Sequence, residues 1–343
     1  MDPMRYGFLG PETTFTHQAL LQALEVMPRE FTDTVEQVPF AAVATATTDL
    51  LAGEIDALIA PIENSVEGGV SGTLDVLAAT DSITIVAEQI VQVTFVLAAR
   101  AETALEDLRV VSSHPHAQAQ VQGWLRENVP GANVATASST AAAARDLASM
   151  SSEEAHGRAA VCSPLAAAHF GLTVLAEQIE DNSGAQTRFV LVTREGRIPA
   201  RTGADKTTLV VQLPHNRSGA LLETLEMFSS NGVNLSRIES RPIGDFLGRY
   251  SFSIDAEGHI EDRRVAASLR ALHRICPVVH FLGSYPRIDG QAPEPREEFA
   301  DATYDQAHAW IEKLTAMVTP ASEVEGAGAG SPTAVDARPE PDA

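Results

Sequence analysis

The stretch IEDNSGAQTRFVLV, residues 179–192, sets a hydroxyl beside a guanidinium, Thr187-Arg188, where an apolar β-branched run begins. Four further stretches put small polar residues between an apolar run and a helix-like stretch: GPETTFT (10–16), PIENSVEGGVSGT (61–73), SSHPHAQAQ (112–120) and ASSTAAAA (137–144). Backbone N–H groups at helix starts, joined by Ser and Thr hydroxyls, make carboxylate sites. In open α/β sheets ligands sit beyond the carboxyl ends of the strands, where such loops lie. Each feature also has a plain structural explanation. Thr13, Thr14, Ser113 and Thr140 fit simple helix caps, Glu63-Asn64-Ser65 an ordinary turn, and His114 and His116 a structural loop.

The chain of 343 residues carries a formal charge of -22, which leaves little to neutralise phosphates and argues against nucleic acid or an anionic membrane as partner. An anionic ligand must therefore be held by local donors. Cys162 and Cys276 stand alone, without disulfide-framework or zinc spacing, which points to a reducing cytosol. The start MDPMRYGFLGP lacks a basic leader followed by an apolar core, and no run of 18 apolar residues occurs. A protein that is neither exported nor membrane-spanning is expected.

Up to about residue 200, apolar runs alternate with Ala/Leu-rich helical stretches, the signature of βαβ units and a largely parallel sheet. Two long extended runs, 82–100 and 187–195, bracket an αβ block. They look like crossings between two lobes, with Thr187 at the second crossing and facing the cleft. GRIPARTGAD (196–205) reads as a linker, and 206–286 follow a βαββαβ order typical of a ferredoxin-like module. Phe299, Ala307, Trp310, Ile311, Leu314 and Met317 mark an amphipathic helix over 297–318, and the Pro/Ala/Gly/Glu-rich remainder reads as disordered tail.

FGLTVLAEQIEDNSGAQTRFVLV (170–192) resembles the signature of prephenate dehydratases, with Phe170, Leu172, Leu175, Asp181 and Thr187-Arg188-Phe189 at the family's spacing. GPETTFT resembles the family's G-P-x-G-T-F-T opening and PIENSVEGGV its P-x-E-N-S-x-x-G-x-V loop, while LSRIESRP (235–242) resembles the signature of its regulatory ACT domain. The resemblance runs in order over roughly residues 5–286. It implies a two-lobed, periplasmic-binding-protein-like (type II) catalytic domain over 1–200, with lobe one at about 1–94 and 188–200 and lobe two at about 95–187. An ACT domain over 206–286 and a C-terminal helix and tail over 287–343 would follow.

The activity implied is decarboxylative dehydration of prephenate to phenylpyruvate, water and carbon dioxide in phenylalanine biosynthesis, without cofactor or metal. Loss of the ring carboxylate pushes electrons toward the carbon bearing the hydroxyl, and aromatisation drives the step. The enzyme must help hydroxide leave. The family's essential threonine maps to Thr187, which is assigned a hydrogen bond to the departing oxygen; one such donor is worth about 10²–10³ in turnover. Glu63 is the motif carboxyl expected to supply a proton if burial raises its pKa. Thr13, Thr14, Asn64, Ser65, Ser113, Gln120 and Thr140 are the expected substrate contacts. Arg188 fits either a substrate carboxylate or a structural ion pair, because regular pleating points it away from Thr187. Thr13 stands where the family commonly has glycine, and a β-branched residue argues against a positive φ there.

ACT domains of this family bind phenylalanine between paired modules. Carried over, the site is Gly219, Ala220 and Leu221 with Glu239, Ser240, Arg241 and Pro242, so L-phenylalanine is the expected effector and a homodimer or homotetramer the expected assembly. An arogenate dehydratase and a non-catalytic amino-acid sensor are the rival functions.

Overall fold

A computed structural model of the chain describes residues 3–27, 34–213, 217–243 and 250–318. The tail from residue 319 onward, expected to be disordered, lies outside the described residues.

The first lobe holds β1 (Met4–Leu9), α1 (Phe15–Val26), β2 (Val35–Phe40), α2 (Val43–Ala52), β3 (Ala57–Asn64), the two-residue β4 (Gly68–Gly69), α3 (Ser71–Ala79) and β5 (Ile83–Gln92). The second holds β6 (Val96–Ala99), β7 (Val110–Ser113), α4 (Pro115–Gln120), α5 (Gln122–Asn128), β8 (Asn133–Thr136), α6 (Thr140–Ser149), β9 (Arg158–Cys162), α7 (Pro164–His169) and β10 (Thr173–Ala176). The chain then re-enters the first lobe as β11 (Gln186–Arg194). The first sheet runs β2-β1-β3-β11-β5, with β1 parallel to β2 and β3 and the returning β11 antiparallel to β3 and β5. The second runs β10-β6-β9-β7-β8. The two crossings lie side by side, because Val93 N–H donates to Ala185 O and Ile179 N–H to Phe95 O.

The C-terminal module follows as β12 (Asp205–Gln212), α8 (Ala220–Ser229), β13 (Leu235–Pro242), β14 (Tyr250–Glu257), α9 (Arg263–Ile275) and β15 (Val278–Pro286), an antiparallel sheet in the order β13-β14-β12-β15. This is the expected α/β class: two lobes joined by two crossings, then a βαββαβ unit. Local chemistry sets the helix starts. Thr14, Ser139 and Ser163 accept backbone N–H groups at the heads of α1, α6 and α7. β2, α3 and β10 escape the sequence patterns; β2 contains Pro39, and α3 opens inside the glycine-rich GGVSGT stretch.

Both faces of the C-terminal sheet carry core residues, while the edge strand β13 leaves Ser236, Ile238, Ser240 and Pro242 exposed. One face carries Leu209, Val211, Phe252 and Ile254 against Val265 and Leu272 of α9. The other places Val210, Leu282 and Tyr285 in one core with Ile83, Ile85, Val190 and Val192 of the first lobe. β15 approaches β5 so closely that a Cβ at Gly283, whose φ is +143°, would strike the Ile85 carbonyl. α10 (Asp301–Thr315) belongs to a separate unit beginning at Pro295, with Trp310, Ile311 and Leu314 exposed. Among the described residues no helix is long and apolar enough to cross a membrane.

Candidate active site

Loops at the strand ends bring the two lobes together. Ser163 Oγ at the head of α7 donates to Thr13 O at 3.1 Å, and Phe15 meets Phe95 edge-on with ring centroids 5.6 Å apart. Near the head of α4, His116 Nδ1 lies 2.8 Å from Glu67 Oε1 in the turn after β3. Thr187, 8 % exposed, is the second residue of β11 and sits where the crossing enters the first lobe.

The residue opposite Thr187 on β3 is Asn64, whose Nδ2 donates to Thr187 Oγ1 at 2.9 Å. The amide is oriented from its other side: Asn64 Oδ1 accepts the Val66 and Glu67 N–H groups at 2.8 and 3.2 Å, so Nδ2 must face the threonine. Because the Thr187 oxygen accepts this bond, its own proton remains to be given away.

A β-bulge makes the pairing possible. On β11 Thr187, Arg188 and Phe189 oppose Asn64, Glu63 and Pro61 in turn, so Ile62 is the extra residue on β3. Strict alternation would send Asn64 to the same side as Leu58, Ala60 and Ile62, into the core shared with the C-terminal sheet. The inserted residue turns it to the side of Thr187, and turns Glu63 to the side of Arg188.

This corrects the expectation for Glu63 and decides between the two roles left open for Arg188. Glu63 lies on the Arg188 face, its carboxylate 3.6 Å from Arg188 Nη1 and its side chain 39 % exposed. At that exposure the full burial that proton donation required is not met, and among the described residues its carboxylate partner is Arg188, not Thr187. Arg188 points away from the cleft, as pleating requires. Its Nε donates to Glu88 Oε2 at 2.6 Å, Nη1 to Asp255 Oδ2 at 2.5 Å and Nη2 to Tyr285 Oη at 2.8 Å. Of the two roles open to it, the placement selects the structural ion pair. Burial alone would favour loss of the guanidinium proton, yet Asp255, Tyr285 and Glu88 outweigh it and hold the group firmly charged.

The expectation for Thr13 is overturned as well. Its φ is +66° although it is β-branched, and its side chain is buried with Oγ1 unpartnered among the described residues. The loop over-determines this conformation: Thr13 N–H donates to His17 Nδ1 at 2.9 Å while Thr13 O accepts from Ser163. In the sequence His17 is marked only by its place four residues after Thr13, one helical turn on. Thr14 Oγ1 donates to Leu9 O and Pro11 O and caps α1.

Other expected contacts scatter in role. Ser65 Oγ accepts from Gln186 N–H at 2.9 Å, tying the loop to β11. Ser113 is fully buried and donates to Val161 O at 2.7 Å. Gln120 ends α4 with a buried amide oxygen that has no partner among the described residues. Thr140 is the first residue of α6, whose cap is Ser139 rather than Thr140. Asp181 of the signature accepts from Gly123 and Trp124 N–H, both at 2.9 Å, and so caps the start of α5. Among the described residues no group of three or more His, Cys, Asp or Glu is placed to hold a metal ion.

Gly219, with φ +86°, precedes α8, and Ala220 and Leu221 open it. Register sets Gln212, Ser251 and Arg241 side by side, so β12 ends at the edge of the sheet where β13 finishes. Arg241 is engaged on the first lobe: its Nε and Nη2 donate to the Asp75 carboxylate, both at 2.9 Å, and Nη1 donates to Ser71 Oγ at 3.0 Å. Glu239 packs over Gly69, where a Cβ would meet the Glu239 carboxyl carbon at 2.9 Å. Ser240 and Pro242 on the same strand are exposed.

A family model described as prephenate dehydratase matches residues 6–197, and one described as ACT domain matches 207–274. A prephenate dehydratase of Mycobacterium tuberculosis is 40 % identical over 315 residues, 91 % of this chain and 94 % of that protein. The chain belongs to the prephenate dehydratase family. Its activity is that of a decarboxylating dehydratase, a carbon–oxygen lyase. The prephenate dehydratase structure from Arthrobacter aurescens in complex with L-Phe is 49 % identical with a TM-score of 0.83, covering 91 % of this chain and 99 % of that one. A structure described as a novel type of quorum quenching acylase is 27 % identical with a TM-score of 0.71, covering 82 % of this chain and 97 % of the other. Likeness of fold reaches across described activities, so fold alone does not assign residue roles.

Proposed function

We propose that the chain converts prephenate to phenylpyruvate, with Thr187 at the chemistry, Asn64 as its partner, and L-phenylalanine as effector of the C-terminal module. The observation that carries this is the Asn64–Thr187 hydrogen bond at the mouth of the crossing. As the carbon–carbon bond to the ring carboxylate breaks, its electron pair enters the ring, the carbon–oxygen bond opposite breaks, and hydroxide leaves. Donation from Asn64 polarises the Thr187 hydroxyl toward that oxygen. The bond is worth most where charge develops. Thr13, Gln120 and Thr140 are the proposed ring and side-chain contacts. Thr14 and Ser113 hold the loops, since each already donates its hydroxyl proton to a backbone carbonyl, while Ser65 accepts the Gln186 N–H and keeps its proton for the substrate.

For the effector, the head of α8 offers backbone N–H groups to a carboxylate, and Glu239 an acceptor for an ammonium. A second copy of the chain completes the site, which makes self-association part of the proposal. The test is phenylpyruvate formation from prephenate by the wild type, by Thr187→Ala, and by the wild type with phenylalanine added. Turnover falling by about 10²–10³ in the folded variant is expected. Turnover of arogenate but not prephenate would replace the substrate, and phenylalanine binding without either turnover would leave a sensor.

A further inference from the structure

Arg188 adjoins Thr187 yet faces the other way, into a buried cluster that joins the first lobe to the C-terminal sheet. Three cations, Arg188, Lys206 and Arg237, meet two buried carboxylates, Glu88 and Asp255, with the partly exposed Glu63 at the edge 3.6 Å from Arg188. Glu88 on β5 takes Arg188 Nε at 2.6 Å and Lys206 Nζ of β12 at 2.8 Å on one oxygen, and the Ile288 N–H at 3.1 Å on the other. Asp255 on β14 takes Arg188, Arg237 and the Thr208 hydroxyl, and Thr208 is in turn 2.5 Å from Tyr285 Oη. Every nitrogen of the Arg188 guanidinium is thus committed, two of the three to the C-terminal sheet.

A planar fork held at all three nitrogens fixes the backbone that carries it. The carbonyl of Thr187 and the nitrogen of Arg188 share one peptide plane, so a shift of the guanidinium moves the strand end on which the Thr187 hydroxyl sits. On β3, Glu63 lies beside Arg188 and Asn64 beside Thr187, so both halves of the hydrogen-bonded pair are anchored by the same cluster.

We propose that Arg188 is a positioning residue: its guanidinium ties the end of β11 to Asp255 and Tyr285, so that the seating of the C-terminal sheet sets the aim of the Thr187 hydroxyl. The inference rests on the reading of Thr187 as the group at the chemistry. It makes the C-terminal module part of the catalytic apparatus even without effector. A loosened anchor leaves the substrate's ground-state contacts alone and misplaces one hydroxyl in the transition state; a displacement near 1 Å can cost about 10²-fold.

The test is steady-state kinetics on prephenate, with the full chain, of Tyr285→Phe, Arg188→Lys and the double variant, beside Thr187→Ala. Tyr285→Phe keeps the ring in the core and removes one hydroxyl on the sheet side, remote from substrate. A fall in kcat of about three- to tenfold with KM within about twofold is expected for it, and a larger fall for Arg188→Lys. The two effects should be less than additive, since both act through one contact. A folded Tyr285→Phe with wild-type kcat overturns the inference, as does Arg188→Lys with raised KM and intact kcat, which would mark a substrate contact. If Arg188→Lys does not fold, Tyr285→Phe decides alone. Thr187→Ala with full turnover would instead overturn the reading of Thr187, and the inference would fall with it.

Discussion

Replacing Asp255 by Asn is the perturbation whose cost follows most directly from the structure. The carboxylate is fully buried and accepts four hydrogen bonds: from Arg188 Nη1 at 2.5 Å, Arg237 Nε at 2.9 Å, Arg237 Nη2 at 3.1 Å and Thr208 Oγ1 at 2.7 Å. Burial favours its neutral form, but the two guanidinium groups and Lys206 override this and hold it well below the usual carboxylate range. Asn preserves the volume, so no cavity term enters; what changes is one charge. Two buried guanidinium groups then lose their shared counter-charge, and an amide N–H is turned toward one of them. Removing one partner from a buried ion pair costs about 3–5 kcal/mol. With hydrogen bonds through the remaining oxygen retained, the lower end, about 3 kcal/mol, is expected. Urea unfolding followed by far-ultraviolet circular dichroism reads the shift in midpoint. Glu223→Gln, which disrupts the exposed Arg217–Glu223 pair, serves as control at about 0–1 kcal/mol. The depressed pKa gives stability that is present above the unfolded value of about 3.9 and lost as pH falls toward the folded one. The gap between wild type and variant should therefore be flat from about pH 5 to 8 and narrow below about pH 4. A loss under about 1 kcal/mol, no larger than the control, would refute the account of the cluster as a tightly coupled anchor.

Other outcomes follow from single contacts. Asn64→Asp keeps the oxygen that takes the Val66 and Glu67 N–H groups but cannot donate to Thr187; kcat should fall about 10²-fold with the melting temperature nearly unchanged, read by kinetics beside calorimetry. Thr13→Gly should be more stable than Thr13→Ala by about 1 kcal/mol in urea unfolding, because a φ of +66° strains any residue bearing a Cβ. The His114 pKa is lowered, by burial first and then by His116 against the opposing pull of Glu67, and its Nδ1 accepts the His116 N–H at 3.3 Å. The unfolded chain therefore takes up that proton first as pH falls through about 6.5, and His114→Asn should show less stability loss than wild type between about pH 7 and 5.

What rests on neighbours along the chain is legible without the fold. Alternating apolar runs and capped Ala/Leu stretches made the lobes, the crossings and the βαββαβ module legible, since strand and helix periods repeat within a few residues. Pleat alternation alone set Arg188 opposite to Thr187. Tertiary structure decided what depends on contacts between distant segments. The extra residue at Ile62 turns Asn64 toward Thr187 and Glu63 away, and a bulge leaves no period in the sequence to reveal it. The positive φ of Thr13 is imposed by His17 and Ser163 against the residue's own preference. Arg188 finds its partners in Glu88, Asp255 and Tyr285, separated by 100, 67 and 97 positions, because two sheets pack face to face around it. A lone arginine in a sequence serves a ligand or a carboxylate equally well, and only the burial of its whole fork against the C-terminal sheet assigns it to the protein.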